Sequence, residues 1–94
     1  MQFDWDPDKN KRNQSKHGID FREAKTVFQD AKAIEIYDDE HSTNDEDRYI
    51  IIGISRKERE LMVCHCYRNG KDIIRIFSAR KATAAEKELY ERGF

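Results

Sequence analysis

Four glycines, one proline, two cysteines and one tryptophan are all that these 94 residues offer of the types that most often mark a motif. The glycines are scattered, so no glycine-rich loop can cradle nucleotide phosphates, and no cofactor is expected. Cys64 and Cys66 are two apart; on a strand both point to one face, a poor geometry for a disulfide, and two thiols suit a reducing compartment. The intervening His65 points the other way, so the three do not close around one metal ion. No glycine pattern makes a nucleophile elbow of Ser78. The sequence also lacks a signal-peptide pattern and any long apolar run, and a cytoplasmic protein with no membrane attachment is the expectation.

Charge is abundant instead. Charged residues make up 39% of the chain and hydrophobic ones 37%, so the expected single domain, residues 1–94, has a compact core and an ionic surface. The net charge of -1 conceals a division. Residues 1–47 hold 7 Lys and Arg against 13 Asp and Glu, a balance of -6; residues 48–94 hold 11 against 6, a balance of +5. Such a chain either offers a basic surface to nucleic acid or neutralises itself by pairing its halves, and the sequence leaves both open.

The region 60–81 is the most informative. Two β-prone runs, Leu61 to Tyr67 and Ile73 to Ser78, flank Asn69-Gly70, a dipeptide suited to the positive φ values of a two-residue hairpin turn. That register pairs Arg68 with Lys71, Cys66 with Ile73 and Cys64 with Arg75. It sets Arg68 and Arg75 on the face opposite His65 and Arg80. Both faces are largely apolar, which predicts a strand pair inside a sheet.

Around this hairpin, Phe3 and Trp5 read as a short strand with both aromatics on one face. Asp6 and Pro7 then open a polar helix that stops at Gly18. Asp20, with Glu23 in capping-box spacing, opens a second helix over Phe21 to Phe28. A strand at Ile34 to Tyr37 leads into the acidic loop DDEHSTNDED. Arg48 to Ser55 forms a central strand, RKER a charged turn, and Thr83 with Glu86 caps a last helix whose stripe is Leu89, Tyr90 and Phe94. The expected class is α+β, in the order β-α-α-β-β-β-β-α, with an antiparallel sheet of four to five strands.

The chemistry on offer is cationic. Arginine presents a planar, permanently protonated fork that matches phosphate oxygens bidentately. RNA cleavage without a metal needs a deprotonated 2′-hydroxyl, stabilised charge on phosphorus and a protonated leaving oxygen. Arg68, Arg75 and Arg80 suit the second need, and His65 or Lys81 suits a proton transfer. Each residue also has an ordinary structural reading: Arg75 pairs with an acid of the first half, His65 is a satisfied sheet histidine, and Arg80 and Lys81 decorate a strand end.

The segments FDWDPDKNKRNQSKHGIDFREAKTVF, DDEHSTNDEDRYIIIGIS and HCYRNGKDIIRIFSARKATAAEKELY resemble the BrnT family, ribonuclease toxins of BrnT/BrnA type II toxin-antitoxin systems. The likeness spans nearly the whole chain and is most specific in KHGIDF and RIFSARKAT. It implies a RelE-like fold and a metal-independent endoribonuclease that arrests bacterial growth. The implied partner is a BrnA-like ribbon-helix-helix antitoxin, in a heterotetramer that binds promoter DNA through the antitoxin. Carried over by motif, the active-site residues fall on His65, Arg68, Arg75 and Arg80. Lys71, Lys81, Arg56 and Lys57 are expected to meet the RNA backbone. In the same pattern, Asp38, His41, Glu46 and Arg48 read as hydrogen-bond partners that hold the fold, and Lys16 and His17 as a helix end. The alternative is a non-catalytic module that binds RNA or an antitoxin.

Overall fold

Residues 1–93 of the computed structural model are described; Phe94, expected on the last helix's apolar stripe, lies outside them. The elements are β1 (Gln2–Asp4), α1 (Pro7–His17), α2 (Phe21–Ala24), continued as a 3-10 helix over Lys25–Gln29, β2 (Ile34–Tyr37), β3 (Arg48–Ile54), β4 (Glu60–Arg68), β5 (Ile73–Lys81) and α3 (Ala84–Arg92). They form the expected α+β order around one five-stranded sheet, β1-β5-β4-β3-β2. Strands β2 to β5 make an antiparallel meander, whereas β1 joins β5 in parallel, with Asp4 beside Arg75. The β4–β5 pair is interior, as its two apolar faces require.

Local signals account for the helix ends. The Asp6 side chain accepts from the Asp8 N–H, Pro7 opens α1, and Gly18 closes it in the left-handed region at φ 71°. Thr83 and Glu86 form a reciprocal capping box on α3. At α2, Asp20 caps through the Arg22 N–H, and the Arg22 guanidinium beside it lowers its carboxyl to about 2. Glu23 does not complete the expected box. It turns inward, 2% exposed, to accept from Ser55 Oγ at 2.7 Å and from Arg59 Nε at 2.9 Å.

One sheet face carries the main core. Leu61, Val63, Ile74, Ile76, Ala79 and Ile51 meet Ile19, Phe21, Ala24 and Val27, with Phe3, Trp5 and Phe28 at the margin. Gly53 is where the 3-10 helix presses on β3: a Cβ there would lie 3.0 Å from both Ala33 Cβ and Val27 Cγ1. The opposite face is only partly covered, where α3 places Leu89 and Tyr90 over Ile52, Met62 and Ala82. Tyr90 also donates to Asp30 Oδ2 at 2.6 Å, which pushes its hydroxyl up to about 12.

Helix α1 closes the β5 edge beyond the end of β1. Asn13, buried within an otherwise polar helix, accepts the Ala79 N–H at 3.1 Å and donates to Ala79 O and Ile19 O at 2.9 Å each. One side chain thus replaces a neighbouring strand.

Candidate functional site

The hairpin register differs from the two-residue reading. Arg68 pairs with Ile73, Cys66 with Arg75 and His65 with Ile76; then Cys64 pairs with Ser78 and Met62 with Arg80. The turn is a four-residue loop, Asn69 to Asp72, in which Asn69, Gly70 and Lys71 all have positive φ (52°, 63° and 77°). The skip from Ile76 to Ser78 is a β-bulge at Phe77. The bulge reverses the parity of everything after it. Arg80 therefore joins Arg68 and Arg75 on the α3 side of the sheet, with Ser78 beside Cys64, and the expected separation of Arg80 from the other two is corrected.

Arg48 belongs to the same face, because it pairs with Cys66 across β3 and β4. Asp4, Arg75, Cys66 and Arg48 form one cross-strand row. Arg68 lies toward the hairpin tip and Arg80 toward α3. At ~3.3 Å per residue, the six-residue step from Arg68 to Met62, the partner of Arg80, spans roughly 20 Å. The arginines are a track along the sheet rather than a cluster at the turn.

Each guanidinium on this track has an acid. Arg48 and Arg68 share Glu46 at 2.8 and 3.3 Å, Arg75 meets Asp4 at 2.7 Å, and Arg80 grips Glu86 with two bonds of 2.8 and 3.0 Å. Burial alone would raise Glu86, but Arg80 and the Thr83 N–H more than offset it and hold its carboxyl low. Glu23–Arg59, Glu35–His65, Glu46–Arg68 and Asp4–Arg75 all join the acidic half of the chain to the basic half. Self-neutralisation therefore accounts for part of the charge division. The track's own pairs, Arg48 and Arg68 with Glu46, Arg75 with Asp4 and Arg80 with Glu86, are partly exposed, a setting in which an ion pair contributes about 0–1 kcal/mol, so an arriving phosphate can compete for these guanidiniums.

His65 lies on the other face and is fully buried. Its ring nitrogens meet Val63 O at 3.1 Å and Glu35 Oε2 at 2.7 Å, and its ring packs against Phe28, Tyr49 and Tyr67. Tyr67 donates to the same Glu35 carboxylate; burial and then this bond push the phenol up, and the bonds from His65 and Tyr67 hold Glu35 low against its own burial. The sheet thus separates His65 from the arginine track.

The remaining cations are dispersed. Lys71 stands in the hairpin loop with its ammonium 5.7 Å from the Tyr67 ring. Lys81 ends β5 opposite Leu61 on the helix-covered face. Arg56 and Lys57 are exposed in the β3–β4 turn, at the opposite end of the sheet from Arg68. Burial pushes both the Cys64 and Cys66 thiols up, away from the thiolate a nucleophile needs. In the acidic loop, His41 Nδ1 meets Asp38 at 2.9 Å, and Ser42 Oγ accepts the Arg48 N–H at 2.8 Å. These contacts hold the loop against β3.

One group of cations was read in the sequence only as part of a polar helix, with Lys16 and His17 at its end. Lys9, Arg12, Lys16 and His17 of α1 line a cavity of about 330 Å³ with Phe77 and Ser78. The bulge puts the Phe77 ring between two cations, with Arg48 Cζ 4.0 Å and Lys9 Nζ 5.3 Å from its centroid. The cavity therefore opens beside the arginine track, separated from it by Phe77 and Ser78.

Fold and surface together define a small α+β protein with four acid-paired arginines along one sheet face and, on the flanking helix, cations that form no ion pair among the described residues. The sequence profile of the family described as "Ribonuclease toxin, BrnT, of type II toxin-antitoxin system" matches residues 5–86. The chain belongs to this BrnT toxin family. Its fold is similar to the crystal structure of the ribonuclease toxin BrnT of Brucella abortus, with a TM-score of 0.65 and 24% identity over 88% of this chain and 97% of that one. No curated protein matches. No helix among the described residues is long and apolar enough to cross a membrane.

Proposed function

We propose that the chain is a metal-independent endoribonuclease toxin that acts in the cytoplasm, arrests growth by cutting RNA, and is neutralised by a BrnA-like ribbon-helix-helix antitoxin. Family membership supplies the toxin class and the ribonuclease activity. The observation that supports this chain's own competence is the bulge at Phe77, which brings Arg80 onto the accessible face that already carries Arg48, Arg68 and Arg75. RNA laid along that face exchanges carboxylate partners for phosphates, and the guanidiniums then hold the backbone and offset the charge that gathers on phosphorus. Lys71 extends the contact at the hairpin tip. His65 serves this site from behind, by fixing β4 to β2 through Glu35. Arg56, Lys57 and Lys81 lie off the track and contribute long-range attraction.

The antitoxin has the same basic track to cover. It is expected to do so with an acidic segment that competes with RNA, as part of a heterotetramer whose antitoxin half binds promoter DNA.

Inducing the chain alone should arrest growth and lower translation. Arg68→Ala and Arg80→Ala should each cut the cleavage rate roughly tenfold or more and relieve the arrest, with circular dichroism showing the fold intact. Undiminished arrest with both substitutions would remove the track from the site, and purified protein that binds RNA without shortening it would favour a non-catalytic module.

A further inference from the structure

The arginine track stabilises charge but supplies no group that readily moves a proton, and His65 is walled off behind the sheet. Of the other histidines, His41 is committed to Asp38 in the acidic loop. His17 differs from both. It is half-buried at the last turn of α1, among the described residues no hydrogen bond engages its ring, and it lines the cavity shared by Lys9, Arg12, Lys16, Phe77 and Ser78.

The surroundings of that cavity suit a phosphodiester. Among the described residues no carboxylate lines it, and Lys9, Arg12 and Lys16 form no ion pair, in contrast to every arginine of the track. The other charges at this helix end include Arg59, which reaches the Gly18 carbonyl at 3.4 Å, and Asp20, which accepts from Gln14 Nε2 at 3.1 Å. Residues 9, 12 and 16 recur at helical spacing, so their side chains share one face of α1. Asn13 holds that face against β5 through Ala79. The Ser78 hydroxyl and the Phe77 ring complete a wall whose strand neighbours are Arg75 and Arg80.

We propose that this cavity, between α1 and the bulge of β5, is the proton-transfer half of the RNA-cleaving site, with His17 as general base and Lys16 as general acid. The proposal rests on the ribonuclease reading above. His17 takes the proton of a ribose 2′-hydroxyl, and the 2′-oxygen forms a bond to the adjacent phosphorus. The bond from phosphorus to the 5′-oxygen of the next nucleotide breaks, and that oxygen leaves with a proton from the Lys16 ammonium. Water afterwards returns a proton to Lys16 and takes one from His17. Lys9 and Arg12 hold the flanking phosphate, and Arg75 and Arg80 carry the strand onward along the sheet.

The test measures single-turnover cleavage in EDTA for the full chain and for His17→Ala, His17→Gln, Lys16→Ala and, as control, His41→Ala. The His17 and Lys16 variants should lose 100-fold or more, within the range of general acid–base catalysis. They should keep the wild-type melting temperature and their affinity for a 2′-deoxy analogue. RNA with sulfur in place of the 5′-bridging oxygen needs no acid to release its leaving group, so it should rescue Lys16→Ala and leave both His17 variants slow. Full activity in the His17 variants, or rescue of them by the sulfur substrate, overturns the assignment while the ribonuclease reading stands. Absence of cleavage by the unmodified chain overturns both.

Discussion

Arg59→Ala is expected to lower the stability of the fold by about 3 kcal/mol, because it strands a carboxylate in the core. Glu23 is 2% exposed, and apart from Arg59 only Ser55 Oγ donates to its side chain among the described residues. The Arg59 side chain is 33% exposed, so water reaches the gap and the cost falls at the low end of the usual range for a broken buried pair. At ~4–8 °C per kcal/mol for a domain of this size, the melting midpoint should fall by about 12–24 °C. Replacing both partners, Glu23→Met with Arg59→Met, should recover most of the loss, because no charge is then left unpaired. The pH dependence has a definite sign. Arg59 holds the Glu23 carboxyl below the ordinary carboxylate range against the opposing effect of burial. Its contribution is therefore complete above that range and lost as the pH falls. In Arg59→Ala only the effect of burial and the Ser55 bond remain, so the gap between the two proteins should narrow on acidification.

Asn13→Ala is the second large effect, at about 3 kcal/mol. The side chain satisfies one N–H and two carbonyls on two other segments, and each buried group left unpaired costs about 1–3 kcal/mol, with some recovered by relaxation. The urea midpoint should fall with an unchanged slope. Exchange of the Ala79 amide hydrogen should accelerate more than that of Val63, its partner across the strand pair. Cleavage should fall with it, since Asn13 keeps Lys16 and His17 beside Phe77. A variant as stable as the parent would mean that α1 is held by its ends alone.

Those two residues also mark where reading the sequence succeeds and where it stops. Caps written in neighbouring residues were legible: Asp6 with Pro7, Gly18, and Thr83 with Glu86 all fall where spacing puts them. The hairpin was legible as a hairpin, and the order of elements followed from it. Its register was not, because Asn69-Gly70 suits a two-residue turn and the chain instead makes a four-residue loop. The bulge at Phe77 coincides with the place where β5 exchanges β1 for Asn13 of α1 as its edge partner. That exchange joins residues 66 apart in the chain, which no local pattern displays. Glu23 shows the same limit, since its capping-box spacing is real but its partner, Arg59, lies 36 residues away.

The candidate site was legible in kind, as arginines suited to a phosphodiester, and not in place. Parity along a strand is exact only while the strand is regular, so a single extra residue moved Arg80 across the sheet. Helix α1 read only as a polar helix with Lys16 and His17 at its end, because a helix with almost nothing to bury gives no sign of what stands beside it. Only the fold sets Lys16 and His17 against Phe77 and Ser78.

In the proposed reaction the chain cuts RNA through the ribose 2′-hydroxyl, using its own side chains. Mass spectrometry of the ends left on a defined oligonucleotide, cut in EDTA, tests it directly. The expected products carry 2′,3′-cyclic phosphate and 5′-hydroxyl termini, with no cut at a nucleotide whose 2′-hydroxyl has been removed. Termini bearing 5′-phosphate, or cleavage that continues at the 2′-deoxy position, would contradict it.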